Sequence, residues 1–126
     1  MIALELGAAE VTALDIDPVA AFVARQICRL NGLRPWIVAG EVEALRCEGH
    51  GGAFDLALAN VIPSRLRSGL PRTVEAVKPG GAVLLSGILV DQESNYLKEL
   101  AALGLRCNSR LEAQGWVALR MEKVRT

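Results

Sequence analysis

Net charge of either sign is missing from this sequence, in which 14 Lys and Arg residues balance 14 Asp and Glu residues. A nucleic-acid-binding surface needs clustered positive charge to meet phosphates, so the balance speaks against nucleic acid as a direct partner. Aromatic residues supply only 4% of the chain. Its core must therefore come from Leu, Val, Ala and Ile, as in layered α/β proteins whose buried parallel strands are aliphatic runs. Cysteine is scarce: Cys28, Cys47 and Cys107 are odd in number, far apart and form no Cys-x-x-Cys pair. This argues against a disulfide framework or a zinc site, and no metal is expected. Reduced thiols of a cytoplasmic protein fit best. No apolar run is long enough to span a membrane, and the apolar start (Met1, Ile2, Leu4, Leu6) lacks the basic flank of a signal peptide. Internal repeats and low-complexity stretches are absent too.

What is present is apolar material in quantity. Hydrophobic residues make up 52% of 126 positions. That is enough for one globular domain, for which about 100–150 residues is usual.

Residues 1–6 read as the end of a helix that stops at Gly7. Residues 11–16 form a short apolar strand ending in acids. Asp17-Pro18 then opens a helix, because Asp caps free N–H groups and Pro suits the first helical position. Val19, Phe22, Val23, Ile27 and Leu30 recur at helical spacing and predict one buried stripe, closed by Asn31-Gly32. Residues 36–39 are a second strand, 41–47 one or two helical turns, and His50-Gly51-Gly52 a loop. A third strand covers 55–60. A helix over 63–77 turns Leu66, Leu70, Val74 and Val77 inward, with Pro71 as a kink or a split. Residues 78–81 are a turn, 82–87 a fourth strand, and 91–103 a helix ending at Gly104. Finally, 105–112 and 116–122 flank Ala113-Gln114-Gly115 as an antiparallel hairpin. The repeated strand–helix alternation predicts an α/β fold with a mostly parallel sheet and right-handed crossovers, to which the hairpin adds one antiparallel strand.

Ligands of open α/β sheets bind beyond the carboxyl ends of the strands. Asp15 stands at the first such end, where a carboxylate can accept hydrogen bonds from both hydroxyls of a ribose, or merely support the turn. Glu41 is a candidate acceptor for an adenosine amine, or a cap of the short helix after it. Asn60 offers an amide that can orient an amine or a cofactor; alternatively it forms the turn before Pro63. Lone His50 reads as an exposed loop residue. Ser64, Ser68 and Ser86 lack nucleophile-elbow context. Arg65, Arg67 and Arg72 give either a solvated helix face or a patch for an acidic partner.

Four segments go further together. LGAAEVTALDIDPVAAFVARQICRLNG, FDLALANVIPS, KPGGAVLLSGIL and GWVALRMEK resemble the ribosomal protein methyltransferase family that modifies large-subunit protein eleven. The resemblance covers nearly the whole chain. ANVI and SGIL in that order, followed by the GWVAL hairpin, are its specific part. It implies a Rossmann-like sheet of seven strands with the seventh antiparallel, S-adenosylmethionine as methyl donor, and protein amino groups, chiefly lysine, as acceptors. It makes Asp15 of LDID the ribose-binding acid with Ile16 beside it, puts Glu41 near adenine, and sets Asn60 where cofactor and amine meet. Asn60 is thus both a cofactor contact and the catalytic candidate.

The family pattern also sets a strand, a glycine-rich G-x-G-x-G-type loop and a substrate-recognition domain ahead of Met1. The resemblance therefore implies a single, N-terminally truncated catalytic domain over 1–126. In it the strands of 11–16 and 55–60 lose the central strand between them. Unpaired buried backbone groups cost about 1–3 kcal/mol each. Those strands then pair directly, or another chain fills the gap by self-association, or the sequence is a piece of a longer product. Two rivals remain: an NAD-binding oxidoreductase half, which also uses a strand-end acid, and a folded but non-catalytic binding module.

Overall fold

The computed structural model describes residues 1–42, 52–60 and 63–125, with the backbone alone described for 63–68. The chain divides into two compact units, Met1–Arg46 and Cys47–Thr126.

The first unit contains α1 (Ile2–Glu5), β1 (Thr12–Asp15), α2 (Pro18–Leu30) and β2 (Trp36–Ala39). β1 and β2 form a parallel pair running from Thr12 opposite Trp36 to Asp15 opposite Ala39. Parallel strands need a crossover between them, and α2 is that crossover. Asp17 caps α2 as expected: its side chain accepts the Val19 N–H at 2.8 Å, with Pro18 in the first turn. Asn31 and Gly32 end the helix, with Gly32 at φ +69°. Arg25 ties α2 to β2 by donating from Nε (3.2 Å) and Nη2 (2.8 Å) to the Ile37 carbonyl.

The buried stripe expected on α2 is not found. Val19, Phe22, Val23, Ile27 and Leu30 are all exposed, from 44% for Ile27 to 85% for Leu30; the buried residues of α2 are Ala21 and Cys28. Small side chains therefore make the close contact of this helix, and the large ones lie outside it. Periodicity predicts which residues share a helix face; it does not supply a surface to cover that face.

The second unit contains β3 (Phe54–Asn60), α3 (Pro63–Ala76), β4 (Val77–Leu89), a 3₁₀ turn (Val90–Gln92), α4 (Glu93–Ala102), β5 (Leu105–Ala113) and β6 (Trp116–Lys123). Its four strands lie in the order β3-β4-β6-β5. β3 and β4 are parallel; β6 runs antiparallel to both β4 and β5. The C-terminal hairpin thus inserts its second strand beside β4. Its loop is Gln114-Gly115, with φ of +52° and +80°. Positive φ at both central residues is the two-residue turn whose twist matches the strands it joins.

One sheet face is buried under α3 and α4. Alternate residues Val83 and Leu85 on β4, and Val117, Leu119 and Met121 on β6, meet Leu70, Val74, Tyr96 and Leu100. Each such aliphatic side chain contributes about 1.5–3 kcal/mol by leaving water. Leu70, Val74 and Val77 are inward as expected, while the Leu66 side chain lies outside the described residues. Helix α3 runs on through Pro71 without splitting. Lys123 Nζ donates to the carbonyls of Val74 and Val77, both at 2.8 Å. A cation at the carbonyl-rich end of α3 satisfies groups that the helix leaves unpaired.

Two expectations change in detail. The turn over 78–81 is an irregularity inside β4: Phe54 pairs with Val77, and pairing resumes at Leu56 with Ala82. Gly81 fits there because a β-carbon would lie 2.6 Å from Val77 Cγ1 and 2.9 Å from the Lys78 carbonyl oxygen. The helix over 91–103 instead starts with the 3₁₀ turn before α4 takes over. Within their units, β1 is paired with β2 and β3 with β4. No helix of the described residues is long and apolar enough to cross a membrane.

Candidate functional site

The first unit brings Asp15, Ile16 and Glu41 to the carboxyl edge of β1 and β2. Asp15 is exposed, and its Oδ1 accepts the Asp17 N–H at 2.9 Å. The two acids divide the labour: Asp15 fixes the turn and Asp17 caps the helix. A carboxylate has two oxygens, and Oδ2 of Asp15 has no partner among the described residues. It therefore keeps an acceptor for a ligand while supporting the turn. Ile16, next along the chain, is 48% exposed. The Gly40 N–H donates to the Asp15 carbonyl at 2.8 Å, which places exposed Glu41 just past that edge. The helical turns expected over 41–47 fall mostly on 43–51, outside the described residues, as does His50.

In the second unit Asn60 is the last residue of β3 and stands opposite Ser86 of β4. On its other side, β4 is irregular at this level. Leu85 pairs with Leu119 and Ile88 with Val117, so Ser86 and Gly87 together face Ala118 alone. Gly87, at φ +82°, takes the left-handed conformation that such a bulge uses. A bulge interrupts the ladder and bends the strand. Here a groove of about 770 Å³ opens at the carboxyl ends of β3, β4 and β5. Asn60, Ser86 and Gly87 line it together with Leu89, Gln92 and Trp116.

The groove is mainly apolar with a charged rim. Glu112 lines it, and Arg110 donates to Glu112 Oε2 at 2.6 Å and to both Glu93 oxygens at 2.7 and 2.9 Å. These hydrogen bonds hold the Glu93 carboxyl below its ordinary range and make the Arg110 guanidinium harder to deprotonate. Two carboxylates against one guanidinium leave this cluster, which reaches the groove through Glu112, with one net negative charge. Arg72, one of three arginines considered as a patch, pairs with Glu75 of its own helix at 3.0 Å; the side chains of Arg65 and Arg67 lie outside the described residues.

A family model described as ribosomal protein L11 methyltransferase (PrmA) matches residues 1–124. The chain belongs to this family. Among curated relatives, the ribosomal protein L11 methyltransferase of Brucella suis (strain ATCC 23445 / NCTC 10510) is 34% identical over 117 residues, covering 89% of this chain and 40% of the relative. The chain thus spans about 40% of the length of the curated relatives it matches. Among solved structures, the ribosomal protein L11 methylase of Lactobacillus delbrueckii subsp. bulgaricus superposes with a TM-score of 0.84 at 25% identity, covering 97% of this chain and 62% of that one. A Burkholderia thailandensis 1,6-didemethyltoxoflavin-N1-methyltransferase, solved with its namesake compound and S-adenosylhomocysteine, reaches 0.74 at 20% identity, covering 96% and 64%; that likeness is one of fold. An NAD-dependent oxidoreductase finds no support in these matches.

Within this L11 methyltransferase-family chain, sequence reasoning missed Gln92, Leu89 and Trp116 as groove residues. A signal for the bulge was present: a glycine inside a strand, Gly87 in SGIL, marks an irregularity or a close approach. Nothing in the spacing shows that the hairpin and the 3₁₀ turn meet at it.

Proposed function

We propose that residues 1–126 belong to one catalytic domain of an S-adenosylmethionine-dependent methyltransferase that acts on protein amino groups, with lysine of a ribosomal protein as the acceptor and the cytoplasm as its setting. The observation that carries this reading is Asn60, the amide of ANVI, in a groove at the bulged carboxyl edge of the sheet. The residues at the other carboxyl edge fit the cofactor. Asp15 Oδ2 is a spare acceptor for ribose hydroxyls, exposed Ile16 offers an apolar surface for a purine ring, and Glu41 offers an acceptor for its amine.

The chemistry that S-adenosylmethionine supplies when bound is an electrophilic methyl carbon on a positive sulfonium. This chain's own part is positioning. Asn60 accepts an amine N–H through Oδ1 and holds the lone pair in line. The apolar groove disfavours the ammonium form of an incoming lysine and so promotes loss of its proton to solvent water before the methyl is transferred. No residue here forms a covalent intermediate in this scheme.

Calorimetric titration with S-adenosylhomocysteine tests it, using this chain beside a version preceded by a family glycine-rich strand and loop. Binding by both is the expected result. Binding by the extended version alone favours the non-catalytic module, and binding by neither overturns the assignment. In whichever version is active, Asn60→Ala is expected to slow methyl transfer by about a hundredfold, the scale of a misplaced reactant. Unchanged rate and unchanged cofactor affinity would remove Asn60 from its role.

A further inference from the structure

Gln92 ends the 3₁₀ turn that follows β4 and is a lining residue of the same groove as Asn60. Its Oε1 is buried and has no hydrogen-bond partner among the described residues. Buried polar atoms are nearly always bonded, since an amide oxygen removed from water without a partner is costly. The Asn60 side chain likewise has no partner among the described residues. Around these two amides the walls are aliphatic and aromatic: Leu89, Leu111, Val117 and Trp116. Glu112, the charged lining residue, belongs to the Glu93–Arg110–Glu112 cluster, in which two carboxylates face one guanidinium.

Together these features describe an occupant. Apolar walls suit a chain of methylenes, a negative rim attracts a cation, and amide oxygens accept N–H groups. A neutral fatty chain would leave the amide oxygens unpaired, and an acidic side chain would be repelled at the rim. A lysine side chain meets all three conditions. It enters as the ammonium, with three N–H donors. After losing a proton to solvent water it keeps two N–H groups and one lone pair, and two acceptors are the number that fixes where the lone pair points.

We propose that Gln92 is a substrate-contact residue: its side-chain carbonyl, with that of Asn60, receives the N–H groups of a lysine side chain from a protein substrate seated in this groove. The proposal deepens the methyltransferase reading and rests on it.

The test is a titration of the ¹⁵N-labelled 126-residue chain, followed by the indole resonance of Trp116 and the side-chain amide of Gln92. The probes are Nα-acetyl-lysine N-methylamide and its norleucine counterpart, which keeps the alkyl chain and lacks the amine. The lysine probe is expected to shift both resonances and to bind at least about tenfold more tightly, the scale of a hydrogen bond to a charged group. Gln92→Leu is expected to abolish that preference. Gln92→Glu, which keeps an acceptor oxygen at the same reach, is expected to retain it. Equal binding of the two probes, no shift with lysine, an undiminished preference in Gln92→Leu, or a lost preference in Gln92→Glu each overturns the proposal. S-adenosylhomocysteine titrated into the same variants separates the two readings. Lysine preference absent with that binding intact overturns the Gln92 assignment alone. The converse overturns the cofactor reading and leaves the amine site standing.

Discussion

Helices α2 and α4 are both amphipathic crossovers of an α/β chain, yet they treat their large side chains in opposite ways. Helix α4 buries Tyr96 and Leu100 to 3% and 0% exposure, whereas α2 leaves Phe22, Val23 and Ile27 at 56%, 46% and 44%. The same contrast holds for the units that contain them. Nearly every buried hydrophobic residue among the described ones belongs to Cys47–Thr126; Met1–Arg46 buries only Ala21 and Cys28. A four-stranded sheet with two covering helices closes a core, while a two-stranded one offers too little surface to do so. The free energy of folding therefore resides mainly in the second unit. The apolar face of α2 is surface that a partner or a further segment could cover.

That contrast can be broken by mutation. Leu100→Ala should cost about 2–5 kcal/mol, the range for a buried leucine whose cavity does not collapse, read as a lower urea midpoint. Lys123→Met leaves the Val74 carbonyl of α3 and the Val77 carbonyl at the start of β4 without the Lys123 donor and should cost about 1–3 kcal/mol in the same assay. Phe22→Ala, by contrast, should stay within about 0.5 kcal/mol, as exposed positions do. A loss comparable to that of Leu100→Ala would show that the α2 face is covered in solution. Sedimentation of the two variants would then reveal whether a second copy covers it.

The smallest expected effect concerns acid. Glu93 is held below its ordinary 4.5 by the Arg110 hydrogen bonds, and Asp55 below its ordinary 3.8 by Lys78 at 2.8 Å. A carboxyl lowered in the folded state adds stability above its ordinary value and loses it as pH falls through the lowered one. Both groups lie in the second unit; Asp55 is open to solvent, so its contribution is modest, while the Glu93 side chain is largely covered and contributes more. Glu93→Gln should lower stability modestly at neutrality and flatten the stability–pH curve below pH 4.5, so that variant and parent converge in acid. A steeper acid loss in Glu93→Gln than in the parent chain would contradict the pairing. Calorimetry at neutral pH sharpens the comparison: one cooperative transition supports a single domain, two support units that unfold separately.

Much of this was legible in the order of residues. Asp17-Pro18, Asn31-Gly32, Gly104 and Gln114-Gly115 act through local backbone geometry, so their caps and turns stand where the sequence puts them. The strand–helix order of the chain and the short Gly-containing link at 113–115 foretold the sheet and its hairpin, and Asp15 and Asn60 were identifiable because strand ends are where open sheets bind ligands. Local chemistry could not determine whether the α2 stripe would be covered. Nor could it foresee that Ser86 and Gly87 would share one partner on β6, or that Gln92 and Trp116, 24 positions apart in sequence, would line the groove of Asn60. Caps, turns and strand ends are set by a few neighbouring residues. Burial and the groove depend on which distant surfaces meet, and only the tertiary structure decides that.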